Sequence, residues 1–393
     1  MFGAIYIGLS GLNAYSRGLQ QVSGNVSNLN SSGFKSSNVS FTDIVGSANN
    51  GGLSLSGTSS SPGAGVELGG IQRDFTQGEL RQTQRDLDLA IDGTGFLVLT
   101  RGDEVFYTRT GSFEVDKDGF IVLAGTDYKL ATLDGSGRAV TLSIDASRTS
   151  LPAKTTTIKF ADNLSSTATT YGLSDIKVYD AVGTAHTWQV KFDKPAAGAP
   201  GEWTVTVTDD KNVTIGTQTL KFNVGVVDPA TSKLVFDDAA NGLSVTLDFS
   251  SNVTSFSSGQ VSTLRTSSVD GQGIGTITSV TVNAEGELEL GYSNQQKQVL
   301  GAIAIADFRD PQALQERSGG LYADKGDAGR ELMSSASEKV GRVVSHRLEA
   351  SNVDLAKQFG DLITIQRGYQ ASSQIISVAN DMIQQLFGIR GQG

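Results

Sequence analysis

The sequence predicts a mainly β fold with α-helical termini: two nested β domains, plus a terminal coiled-coil domain formed by the N- and C-terminal helices together. Three observations point there. Apolar residues recur at intervals of seven near both ends of the 393-residue chain. From Ile71 the pattern changes to two-residue alternation broken by Asp-Gly and Asn-Gly turns, as half-buried strands require. The composition, with 47 glycines, 6 prolines and 18% charged residues, suits a chain with many turns.

The first element is a helix within residues 1–30. Ile5, Leu12, Leu19 and Val26 fall seven apart, with Leu9, Tyr15, Val22 and Leu29 beside them. Gly3, Gly8, Gly11 and Gly18 each cost roughly 1 kcal/mol of helix stability relative to alanine, so this helix should form only against a partner. Residues 31–70 read as a linker. Most of 46–65 is Gly, Ser, Asn and Ala, and all of 1–70 carries only Arg17, Lys35, Asp43 and Glu67 as charges. Such a stretch buries too little apolar surface to order alone.

Residues 71–145 and 270–324 are predicted to form an inner β domain, with 146–269 a second β domain inserted into it. Asp88–Asp92 and Phe96–Leu99 read as two strands about an Asp92-Gly93 turn. Phe113–Val115 and Phe120–Val122 read as a hairpin about Asp116–Gly119. Asp116 and Asp118 resemble the start of a calcium loop, but Gly125 stands where that loop needs its last acid, so turn chemistry is the better reading. In the insert, Asp175–Asp180 and Ala185–Phe192 form a hairpin through Val182-Gly183. Trp203–Val207 and Leu243–Phe249 are further strands. Val280 and Val282 face Leu288 and Leu290 across an Asn283–Gly286 turn. Gly271–Gly275 lacks a phosphate-loop lysine and reads as a hinge at the domain border. Residues 325–350 are predicted as the return linker.

The last element, within 351–393, is a helix on the order of 50 Å long at about 1.5 Å per residue. Leu355, Leu362, Tyr369, Ile376 and Ile383 repeat at seven, and Phe359, Ile365, Ala379, Met382 and Leu386 widen the stripe. Ser351 and Asn352 suit an N-cap, Asp354 the first turn, and Gly388 a left-handed C-cap. A strict seven-residue repeat drifts around a straight helix and asks for a supercoiled partner. An amphipathic helix packed on its own domain would show a similar stripe. Matched stripes at both termini can pair with each other, parallel or antiparallel. The candidate self-assembly seam is Ile5, Leu9, Leu12, Leu19 and Val26 with Leu355, Phe359, Leu362, Tyr369, Ile376, Ile383 and Leu386.

Charge and composition narrow the function classes. A net charge of −10 and a pI near 4.8 argue against nucleic acid and anionic membrane surfaces. The acidity lies between the ends, since 1–30 holds only Arg17 and 351–393 holds three acids and three bases. With no cysteine, disulfide and thiolate chemistry are excluded. His186 and His346 stand far apart with no partner group in view, so no metal set, triad or cofactor site is predicted. No basic n-region or cleavage site marks a signal peptide, and no apolar run is long enough for a membrane span. An adhesin or binding module using the inserted block is a different class of function. Such a module would not need matched seams at its termini.

Particular residues resemble the bacterial flagellar axial proteins of the rod and hook, and within them the flagellar hook protein group. Asn25, Asn28, Asn30, Gly33, Phe34 and Lys35 match the N-terminal signature. Ala90 to Phe96, with Gly93 and Gly95, match the first β-domain signature. Leu348 to Leu355, with Ser351, Asn352, Val353 and Asp354, and Gln366, Arg367 and Tyr369 match the C-terminal one. Gln295 stands where glycine is usual. The resemblance implies a subunit that self-assembles into a short curved tube and acts as a universal joint between motor and filament. It implies terminal helices lining a channel, an inner β domain in the tube wall and the insert outside. It also implies type III export without signal cleavage, an extracellular place in the flagellum, and contacts to the distal rod, a scaffold cap and a hook–filament junction protein. A distal rod protein is the nearest rival, and the large insert favours hook.

Overall fold

The computed structural model describes residues 2–44, 65–196 and 199–390, with side chains of Phe2 and 386–390 outside that description. Leu386 is therefore placed by its backbone alone. Helices stand at both ends, α1 (Phe2–Ser27) and α2 (Leu355–Arg390), and the described chain between them is strands, turns and three short 3-10 turns. The mainly β fold with helical termini expected from the sequence is what the chain adopts. It divides into two compact units, Met1–Asp145 with Val280–Glu289 and Val299–Gly393, and Ala146–Ser279 with Leu290–Gln298.

In the first unit a 12-stranded sheet carries the core. Leu89, Ile91, Leu97, Leu99, Phe113 and Ile305 are buried on one side, and Phe96, Val98, Tyr107, Phe308 and Tyr322 on the other. Buried on both faces, these strands read as near-continuous apolar runs. Thr110–Val115 pairs antiparallel with Ile121–Leu123, and Asp116 Oδ1 accepts the N–H groups of Asp118 and Phe120 at 2.9 and 2.7 Å. That carboxylate caps its own turn. The strands Asp88–Asp92 and Phe96–Arg101, expected to face each other across Asp92-Gly93, do not pair. Three strands separate them in the sheet, because the loop between them wraps the Arg109 side chain instead of closing a tight turn.

Residues 325–350, expected as a linker, contain three strands. Arg330–Ser334 pairs with Ala304–Phe308, Arg342–Ser345 with Asp88–Asp92, and Arg347–Glu349 with Leu80–Gln82. Buried Val340, Val343 and Glu349 hold this return path in the domain. Of the expected linker 31–70, residues 45–64 lie outside the described chain. The rest includes short antiparallel pairs, Phe41–Asp43 with Val66–Leu68 and Ser37–Asn38 with Gln72–Arg73.

The second unit is built on a 10-stranded sheet. Its alternation is clean: Trp203, Val205 and Val207 are buried while Thr204, Thr206 and Thr208 turn outward. Trp188, Trp203, Phe192, Phe236 and a stacked pair, Phe160 and Phe249 with centroids 4.6 Å apart, fill one core. Residues 270–279 and 290–298 cluster with this unit, although the sequence assigned them to the inner domain. The reason is polar. Asp270 accepts from the N–H groups of Thr156 and Thr157 at 2.9 Å, and the Tyr292 hydroxyl donates to the Ser147 carbonyl at 2.7 Å. Gln295 adopts φ +65°, the left-handed conformation that glycine reaches without strain.

A different turn carries more strain. Val224 and Gly225 join the paired residues Asn223 and Val226, with φ of +51° and +81°. A two-residue turn with both φ positive favours Asn-Gly and disfavours a β-branched residue. Val224 is 95% exposed, so its side chain contributes no packing. Val224→Asn should stabilise the second unit by about 1 kcal/mol, read as a rise in the urea midpoint without a change in m-value. A lowered midpoint would mean that the valine serves the turn.

Candidate assembly site

Two features of the first unit bring the ends of the chain together: the contact between the terminal helices and a buried charge node where they leave the β domain. α1 and α2 run antiparallel. Gly8 lies beside Ile376 and Ser372, Gly18 beside Ile365, and Asn25 beside Gln358. A Cβ added at Gly8 would stand 2.7 Å from Ile376, and one at Gly368 would stand 2.5 Å from the Tyr15 ring. Three of the glycines that weaken α1 as an isolated helix, Gly8, Gly11 and Gly18, are thus points where α2 approaches closely, while Gly3 meets nothing within 4 Å.

The intrachain contact uses a different stripe from the apolar repeat. The buried stripe on α1 is Gly8, Gly11, Ala14, Gly18, Val22 and Asn25, and on α2 it is Gln358, Ile365, Ser372 and Ala379. Ile5, Leu12, Leu19 and Val26 flank it half-buried, as do Leu362, Ile376 and Ile383. Leu9, Leu355, Phe359 and Tyr369 remain exposed, as do Gln366 and Arg367. The missed signal was present: Gly11, Gly18 and Asn25 are themselves seven apart, as are the four buried residues of α2. Apolar counting skips glycine, serine and amides.

The start of α2 also differs. Asp354, not Ser351 or Asn352, caps it, with Oδ1 accepting from Ala356 N–H at 2.8 Å and Lys357 N–H at 3.2 Å. Asn352 serves the strands beside it: its Oδ1 accepts from Ser36 N–H at 2.8 Å and its Nδ2 donates to the Asp74 carbonyl at 2.8 Å. Gly388 lies within the helix, which continues to Arg390.

Between helices and sheet sits Glu349, fully buried. Lys35 Nζ donates to its Oε1 at 2.6 Å and Arg109 Nε to its Oε2 at 3.2 Å. Gly78 N–H adds a bond at 2.8 Å, and the Glu349 carbonyl accepts from Gly33 N–H at 2.7 Å. Lys35 also donates to the Thr76 carbonyl at 2.6 Å. Arg109 donates to the carbonyls of Gly93, at 2.6 Å, and Gly95, and its guanidinium lies 5.9 Å from the Phe96 ring centre. Gly93 and Gly95 hold φ of +118° and +102°, which lets both carbonyls turn toward one side chain. Burial pushes the Lys35 ammonium below its ordinary pKa, and the attraction of Glu349 offsets this only in part.

Residues from all three signatures therefore meet at one place. Asn25, Gly33, Lys35, Gly95, Phe96 and Val353 are buried there or beside it. Phe34, Asn28 and Ser351 are half-buried; Asn30, Gly93 and Asp354 are exposed. Asn28 caps the end of α1, its Nδ2 donating to the Gly24 carbonyl at 2.9 Å. The histidines lie elsewhere and, against expectation, each has an acid partner: His346 Nε2 is 2.9 Å from Asp86 and His186 Nε2 is 3.4 Å from Asp180. Among the described residues no three acids or histidines gather as a metal group, and no helix is long and apolar enough to cross a membrane.

Comparison with known proteins follows the same landmarks. Residues 90–163 match the flagellar hook protein FlgE/F/G D1 domain. Residues 143–308 match the flagellar basal body protein FlaE D2 domain, and 344–389 the C-terminal part of the flagellar basal body rod FlgEFG proteins. The chain is 30% identical to the flagellar hook protein FlgE of Salmonella typhimurium, over 97% of this chain and 98% of that protein. It is 27% identical to that of Treponema pallidum, over 99% and 100%. A crystal structure of Helicobacter pylori flagellar hook protein FlgE2 aligns with TM-score 0.47 and 14% identity, covering 67% of this chain and 98% of that one.

The node holds two cations and one carboxylate, which ranks its members. Glu349→Gln would leave Lys35 and Arg109 buried without a counter-charge and should cost about 3–5 kcal/mol. Lys35→Met leaves Arg109 paired one-to-one with Glu349 and removes an ammonium that burial already disfavours. Its cost should be less than half as large. Thermal unfolding of both variants gives the order, and equal losses would refute this ranking.

Proposed function

We propose, from the fact that this chain belongs to the flagellar hook protein family, that it is a structural subunit of the hook whose terminal helix pairs pack against those of other copies. The observation that carries this reading is what the intrachain seam leaves uncovered. After α1 and α2 have paired, Leu9 is 58% exposed, Phe359 53% and Tyr369 40%, on helices with almost no net charge. Open, head-to-tail burial of such faces generates a helical polymer. Leu9, Leu355, Phe359 and Tyr369 would be the residues a neighbour covers, with Ile5, Leu12, Leu19, Val26, Leu362, Ile376 and Ile383 at the margin.

In this reading the helix pairs line a central channel, the first unit's sheet forms the tube wall, and the second unit stands outside. The tube transmits torque from the distal rod to the filament as a curved joint. The further partners are the scaffold cap under which subunits add, the hook–filament junction protein and the type III apparatus that exports the chain without cleaving it. The acidic, solvated β units suit an extracellular surface.

Phe359 and Ile376 separate intrachain from interchain packing. Phe359→Asp places a carboxylate that stays hydrated in the free subunit but is buried in the polymer, at several kcal/mol per copy. Calorimetry of dilute protein should show unchanged melting, and sedimentation should show polymer lost or driven to much higher concentration. Ile376 lies over Gly8 of its own chain, so Ile376→Asp should also loosen the helix pair, seen as lost helical circular dichroism in dilute protein. Normal tubes from Phe359→Asp would overturn the exposed-face assignment.

A further inference from the structure

The helix seam is lined by small residues, and small residues fit one another in more than one register. α2 offers Gln358, Ile365, Ser372 and Ala379 at seven-residue intervals to a stripe on α1 that is mostly glycine and alanine. A displacement of one heptad would set Gly11, now beside Ser372, beside Ile365 or Ala379 instead. Backbone approach along that stretch would change little. Two contacts would not survive. The Tyr15 ring fills the notch at Gly368, where three ring atoms lie 2.5 to 2.8 Å from a built Cβ. One heptad away in either direction, α2 carries Asp361 or Ile375 there. Asn25 Nδ2 donates to Gln358 Oε1 at 2.9 Å, with the two residues only 2% and 3% exposed. Asn25 is itself fixed, since its Nδ2 donates to the Ser37 carbonyl at 2.8 Å and its Oδ1 accepts from Ser37 N–H at 3.0 Å. Displacement would strand the Gln358 amide beside Gly18, or pull it clear of α1.

We infer that these two contacts, Tyr15 in the Gly368 notch and the buried Asn25–Gln358 amide pair, set the register of the helix pair. A buried polar pair in a helix seam commonly contributes register more than stability, because every other alignment leaves it unpartnered. The key fixes which apolar side chains face outward as a set. That last consequence rests on the assembly reading; the key itself does not.

The chain has no cysteine, so introduced pairs report register directly. Gly11→Cys with Ser372→Cys reads the observed register, since a Cβ at Gly11 would lie 3.2 Å from that of Ser372, near the span of a disulfide. Gly11→Cys with Ile365→Cys, or with Ala379→Cys, reads the two displaced registers. In the otherwise unaltered chain the first pair should oxidise at least about tenfold faster than either other, the ratio expected from stranding one buried amide, that of Gln358. Adding Asn25→Leu with Gln358→Leu should erase most of that ratio, and adding Gly368→Ala should lower it by closing the notch. A ratio unchanged by the leucine pair overturns the proposal. If the leucine pair is insoluble, Gly368→Ala decides in the same way. Sedimentation of the same samples reports polymer separately. Loss of all polymer from the unaltered chain would refute the assembly reading and leave the cross-linking result standing.

Discussion

Glu349 is the constraint from which the rest of the first unit follows. A carboxylate fully removed from water must be satisfied on every side, or the desolvation cost would unfold its surroundings. It takes one bond from Lys35, one from Arg109 and one from a backbone N–H at Gly78. Those donors come from the segment after α1, from the bend between two strands of the sheet and from the segment that leads into it. No one of these segments can move without exposing the same charge to an unpaired neighbour. The two ends of the chain, more than 300 residues apart in sequence, are thereby held to the same point on the β domain.

The helix pair grows from that point and is built on a different principle. Its seam is close backbone approach, permitted by Gly8, Gly11, Gly18 and Gly368, with a few larger side chains set over the gaps. Glycine costs helix propensity, and the close contact it allows offsets that cost only when the partner is present. A seam of this kind consumes little apolar side chain. The large residues of both helices are left at its margins and beyond. The intrachain contact and the large apolar residues therefore occupy different stripes of the same helices.

Where the sequence misled, local patterns were read without their long-range partners. The Asp92-Gly93 loop looked like a hairpin because its residues favour a turn, but Arg109, sixteen positions on from Gly93, occupies its centre. Residues 325–350 were expected to be a linker, yet two of their strands pair with segments about 250 residues earlier. The intrachain helix contact lies one stripe away from the apolar repeat because its facing residues are small or polar. In each case the deciding group was distant in sequence.

The sequence by itself determined the fold class, the two terminal helices, four of the strands in the insert, and the family. Those rest on local periodicity, on turn chemistry and on short residue signatures, all of which are written in consecutive positions. Only the tertiary structure decided that the helices run antiparallel, that glycines and amides form their contact, and that Lys35, Arg109 and Glu349 make one node. A buried charge has no periodic trace; it is specified by which distant groups the folded chain brings within about 3 Å of one another.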